Sequence, residues 1–170
     1  MIEQFKHILA AQLEAGLCML NDCIQKCPDE HWDGLIAKYP FWQVAYHTLC
    51  FVDVYLAPSD AAWQPRTEPG PKGGLHPKGR IELDEEYPSR RFEKGELTEY
   101  VALCRQKIRD TLAAETPESL AGDSGFPRLR FSRGELHLYN LRHLQHHTGQ
   151  LSAYLHRLGI TADWIKTGWR

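Results

Sequence analysis

From Ile2 to about Cys27 the apolar residues Ile2, Phe5, Leu9, Leu13, Leu17, Leu20 and Ile24 recur at steps of three or four, which lays one stripe along one face of a helix. A helix with one apolar face has to bury it, so the rest of the chain must supply partners of the same kind. It does. Leu97, Val101, Cys104, Ile108 and Leu112 repeat the period from about Gly95 to Glu115, where Thr116-Pro117 ends it. A further helix is expected from near Pro40, whose missing N–H costs nothing in a first turn, to about Leu56. The last opens on Ser132-Arg133-Gly134-Glu135, a capping box, and runs to about Leu158 with Gly159 as its stop. With no alternating strand pattern, the expectation is an all-α four-helix bundle, one domain over residues 1–170.

The segments between helices are punctuated differently. Pro28-Asp29-Glu30 breaks the first helix and restarts a short turn through His31 and Trp32, before Asp33-Gly34. From Ala57 to Lys94 stand Pro58, Pro65, Pro69, Pro71, Pro77 and Pro88 with Gly70, Gly73, Gly74 and Gly79, a density that no helical period survives. A connection this long is either a lid folding over a site or a surface insertion without a role, and the pattern leaves both open. The tail carries Trp164 and Trp169, to be packed on the bundle or on a second subunit.

Composition excludes several classes of function. The chain has 170 residues, 42% hydrophobic and 25% charged, with a formal charge of -2. That is ordinary globular composition, without the basic surplus that neutralises nucleic-acid phosphates. Glu3, Lys6, His7 and Glu14 interrupt the amino-terminal apolar positions, so no export signal is expected. No apolar run approaches the ~20 residues that span a bilayer. Five cysteines, an odd number without scaffold spacing, fit reduced thiols and a cytoplasmic protein.

The chemistry concentrates in Asn140-Leu-Arg-His143-Leu-Gln-His146-His147-Thr-Gly-Gln150. His143 and His147, four residues apart, project from one helical face about one turn apart, so two imidazoles can meet one ion. Asn140, Gln150 and Tyr154 extend this polar line along a face that a bundle would otherwise fill with leucine. His47, on the apolar segment Trp42 to Asp53, is the expected third ligand. Three neutral imidazoles with a position left open are the pattern of a catalytic metal site rather than a closed structural one. His146 is a flanking residue able to replace His143. Cys50 shares the face of His47 and is either a fourth ligand or a buried structural thiol. His7, His31, His76, His137 and His156 have no ligand spacing and read as surface or capping residues.

The helix-two His47 together with His143-x-x-x-His147-x-Gly149-Gln150 resembles the DinB/YfiT-like metalloproteins, over essentially the whole chain. The resemblance implies an up-down-down-up four-helix bundle, often a homodimer, with one divalent ion, zinc or nickel, on His47, His143 and His147. It also implies thiol-dependent chemistry, an S-transferase or isomerase using a low-molecular-weight thiol such as bacillithiol or mycothiol as co-substrate, while the open coordination position, which takes a water as readily as a thiol, makes a hydrolase the other expected reaction. Gln150 and Tyr154 are the expected catalytic residues that orient the bound group, with Tyr46 and Asp53 around them. The long connection and Thr148, where a basic residue is frequent, depart from the family pattern and bear on the substrate rather than the metal. A non-catalytic, stress-related metal-binding or interaction protein is the alternative, and a helical dimer with incidental histidines the blandest reading. Partners reduce to a small-molecule substrate and a second copy, without nucleic acid or membrane.

Overall fold

The computed structural model describes residues 2–68, 74–84, 86 and 88–170. Four long helices, α1 (Ile2–Lys26), α2 (Phe41–Tyr55), α3 (Lys94–Ala114) and, after a short α4 (Pro117–Ala121), α5 (Arg133–Arg157), carry the fold. Helices α1 and α2 each pack against both α3 and α5 and barely touch each other, so they stand diagonally across the bundle. The stripes read from the sequence meet at its centre: Leu13, Leu17 and Leu20 of α1, Leu49 of α2, Leu97 and Ile108 of α3, Leu144 and Leu151 of α5 are all fully buried. Each such side chain contributes roughly 1.5–3 kcal/mol on burial. Gly16, in mid-α1, is held by this packing. A Cβ there would stand 2.7 Å from Gln145 Nε2 and 3.0 Å from Leu144 Cδ2, so glycine lets α5 come close.

Caps explain the helix ends, and two were not anticipated. Glu93 and Glu96 form a capping box that starts α3 at Lys94. Thr116-Pro117, expected only as a stop, also starts α4, with Pro117 in its first turn and Thr116 and Ser119 exchanging caps. At α5, Ser132 Oγ accepts from the Glu135 amide as expected, without the return bond from Glu135 among the described residues.

Below the core, Arg133 is buried and its guanidinium donates to the carbonyls of Tyr55, Leu56 and Ala57, satisfying the open end of α2. Its Nε also pairs with Glu115 at 2.9 Å. His137, expected at the surface, is fully buried and lies 2.8 Å from the same carboxylate. The α5 stripe turns it inward, and Glu115 supplies the acceptor that a buried imidazole needs.

A two-stranded hairpin precedes α2, where no strand was expected: β1 (Leu35–Ile36) pairs antiparallel with β2 (Tyr39–Pro40). Two residues per strand leave no alternation to read. Its turn holds Ala37 at φ 54°, a left-handed conformation costing a side-chain-bearing residue about 1–2 kcal/mol.

The long connection is a fastened layer. Trp63 Nε1 donates to Asp53 at 3.0 Å, and His76 bridges the Arg66 amide (2.8 Å) and the Tyr100 hydroxyl (2.9 Å). Phe92 stacks on Tyr46 at 4.1 Å between centroids, and its carbonyl accepts from Trp32 Nε1. His76, also read as a surface residue, is therefore fully buried. Its hydrogen-bond partners are distant in sequence or on the backbone, so spacing could not reveal them. Pro69, Gly70, Pro71 and Gly73, part of the expected loop, lie outside the described residues. In the tail, Trp169 packs on the bundle beneath Arg105, while Trp164 is 72% exposed. Among the described residues, no helix is long and apolar enough to cross a membrane.

Candidate metal centre

Because α2 and α5 are neighbours in the bundle, the facing residues of the two helices meet. His47 on α2 has its ring centroid 5.3 Å from that of His143 and 4.8 Å from that of His147, and the α5 pair are 4.6 Å apart. One nitrogen from each of the three lies within 4.8 Å of the others. Three nitrogens evenly spread around one zinc ion at about 2.0–2.1 Å are at most about 3.6 Å apart, so a side-chain movement of under about 1 Å for each brings the three into bonding reach. The group can hold a metal ion.

The surroundings fit such an ion. His143 Nδ1 is buried without a hydrogen-bond partner among the described residues, the state in which a ring nitrogen gains most from a metal. Burial first, then the neighbouring His147, His47 and His146, lower the His143 pKa to about 3, so the imidazole is neutral and keeps a lone pair to donate. His147 Nδ1 lies 2.8 Å from Gln150 Oε1. With a carbonyl oxygen as acceptor, Nδ1 carries the proton and Nε2 is left as the donor atom toward an ion. The Gln150 amide nitrogen lies 3.4 Å from His146 Nε2, which fits the same orientation of the amide.

One side of the cluster is closed by aromatic rings. Phe51, one turn beyond His47, lies 4.7 Å from His47 and 5.2 Å from His143, and Tyr55 meets His143 edge-on. The other side opens into a cleft of ≈ 280 Å³ lined by Ile36, Ala37, Tyr39, Gln43, Val44, His47, His146, His147 and Gln150. Gln43 and Phe51 stand four residues before and after His47, and this spacing was the available signal for both. The hairpin residues had none.

The remaining expectations separate. Gln150 touches His147 and lines the cleft. Tyr154 is placed elsewhere: its hydroxyl lies 3.2 Å from His31 Nδ1, its ring packs on Phe41, and it is not among the residues lining the cleft. A Cβ on Gly34 would fall 1.9 Å from that hydroxyl, so glycine is required for the hairpin's approach to pass over Tyr154. Asn140 donates to the Val52 carbonyl and ties α5 to α2. Tyr46 and Asp53 belong to the network that fastens the connection: Tyr46 donates to the Leu75 carbonyl, and Asp53 takes Trp63, Tyr100 and Lys107. Cys50 is fully buried, its thiol pushed up to about 12 by burial, with Tyr46 and Tyr100 as hydrogen-bonding neighbours. It is a core thiol and lies outside the histidine group. None of the described residues of the long connection lines the cleft. The hairpin walls the cleft and is joined to the connection by Lys38–Glu86 at 2.6 Å.

A helical bundle whose second and last long helices bring three histidines together beside a cleft that two of them line is the class this architecture defines. The family model for the DinB family matches residues 18–170, and the chain belongs to that family. Comparisons with curated proteins and with solved structures return no match.

Proposed function

We propose that the protein is a metal-dependent enzyme of the thiol-dependent S-transferase or hydrolase type, with His47, His143 and His147 as the ligands of one divalent ion, zinc or nickel. The observation that carries this reading is the meeting of three imidazoles beside an open cleft that His47 and His147 line, without a carboxylate or thiol in the group to complete the coordination among the described residues. A divalent ion held there supplies Lewis acidity, lowering the pKa of a water to about 7 or deprotonating a thiol outright. The chain's own residues set the stage for that chemistry. Gln150 fixes the His147 ring and its tautomer. Phe51 and Tyr55 keep water from the closed side. Ile36, Ala37 and Val44 offer an apolar wall to the substrate, and the Gln43 carboxamide lies one turn before His47 on the same helix.

The test is metal analysis of untagged protein, followed by turnover measurements with thiols, electrophiles and esters before and after chelation. One ion per chain, with turnover lost and helicity kept after chelation, is the expected result. Unfolding on metal removal without turnover under any condition would replace the enzyme reading with a structural ion.

A further inference from the structure

The cleft that His47 and His147 line differs from its surroundings in charge. Among the described residues, no lysine, arginine, aspartate or glutamate lines it, although a quarter of the chain is charged. Its walls are Ile36, Ala37 and Tyr39 from the hairpin and Val44 from α2, with the carboxamides of Gln43 and Gln150 as the neutral polar groups. The nearest ammonium in sequence, Lys38, sits between two lining residues yet is drawn outward. It pairs with Glu86 at 2.6 Å, lies 4.9 Å from the Tyr39 ring centroid, and is 63% exposed.

The basic side chains at the cleft are imidazoles that already have neighbours. His47 and His147 belong to the ligand group, and His146 Nε2 lies 3.4 Å from the Gln150 amide nitrogen. Apart from the ion, whose charge the coordinating sulfur takes up in part, a formal charge carried into this cleft loses water and finds no opposite charge on the lining side chains, which costs more than a neutral group of the same shape. The volume of ≈ 280 Å³ is just under the range of roughly 300–1,000 Å³ that takes drug-sized ligands.

We infer that the cleft is built for a small substrate that is uncharged apart from the atom it presents to the histidines, with an apolar or aromatic body against Ile36, Ala37 and Val44. A thiol co-substrate bearing carboxylates is thereby disfavoured, and a neutral thiol is favoured. This inference rests on the metal reading above, and the experiment separates the two.

Protein loaded with Co²⁺ is titrated with para-(mercaptomethyl)benzamide and with its carboxylate analogue, para-(mercaptomethyl)benzoate. The thiolate-to-cobalt charge-transfer band reports sulfur at the ion and not a carboxylate bound in its place. The benzamide binds at least about tenfold more tightly than the benzoate. Gln43→Lys, which sets an ammonium in the cleft, narrows that ratio to about twofold. Cobalt stoichiometry and circular dichroism confirm that the variant is loaded and folded. Equal or tighter binding of the benzoate by loaded wild-type protein overturns the inference, and so does the absence of a thiolate band with both thiols. Failure to take up cobalt at the loading step refutes the metal reading itself and the inference with it.

Discussion

The chain buries imidazoles in two regions and treats them in opposite ways. At the foot of the bundle and under the long connection, His137 and His76 are each fully buried and each bonded to a group of complementary chemistry: the Glu115 carboxylate for one, the Arg66 amide and Tyr100 hydroxyl for the other. Between α2 and α5, His47, His143 and His147 are half-buried and face one another with no carboxylate among them; a buried ring nitrogen without a partner does not separate the two regions, since His137 Nδ1 and His143 Nδ1 both lack one among the described residues. Burial therefore does not mark a ligand. What marks it is a neighbourhood of other lone-pair donors, which a cation satisfies and a hydrogen bond between like imidazoles does not.

The largest effect on the ion is expected from His143→Ala. Metal affinity should fall by more than the roughly 10- to 100-fold that loss of an outer partner costs, measured by isothermal titration, with the helical spectrum preserved. Stoichiometric binding by this variant would place the ion elsewhere. Glu115→Ala should do the reverse. It strands the buried Arg133 guanidinium and removes the His137 acceptor, so urea unfolding should show a loss of about 3–5 kcal/mol with unchanged metal stoichiometry.

Acid sharpens the same contrast. Burial lowers the His76 pKa from 6.5 to about 4, so the unfolded chain takes the proton first as pH falls. The stabilisation is complete above about pH 6.5 and is lost as pH drops toward 4, by about 3 kcal/mol at most. Burial lowers the His137 pKa as well, more than the neighbouring Glu115 raises it, so His137 acts with the same sign. Denaturation curves at neutral and mildly acidic pH should show that slope, and a His76→Gln variant should flatten part of it. The smallest effect is expected from Gln150→Leu, which frees the His147 ring without removing a ligand. Metal affinity should weaken by about 10- to 100-fold, with one ion still bound per chain at saturation.

Much of this architecture is written locally. The apolar period that builds α1 and α3, the Ser132 cap of α5, and the pairing of His143 with His147 all depend on residues three or four apart, and the helical backbone converts that spacing directly into a shared face. The chain order alone therefore determined an all-α bundle and two of the three imidazoles on one line, with His47 chosen as the third because it stands on an apolar helix.

Contacts between distant segments decided the rest. Tyr154 continues the polar line of α5, yet Gly34 and His31, more than a hundred residues earlier, claim its hydroxyl. The hairpin that walls the cleft is too short to carry a periodic signal, and its place over His47 follows from where α2 begins. His76 and His137 acquired their partners across 24 and 22 residues of sequence. Spacing along a chain reports which groups share a face. It is silent on what stands opposite that face, because the packing of whole helices and loops brings those groups together.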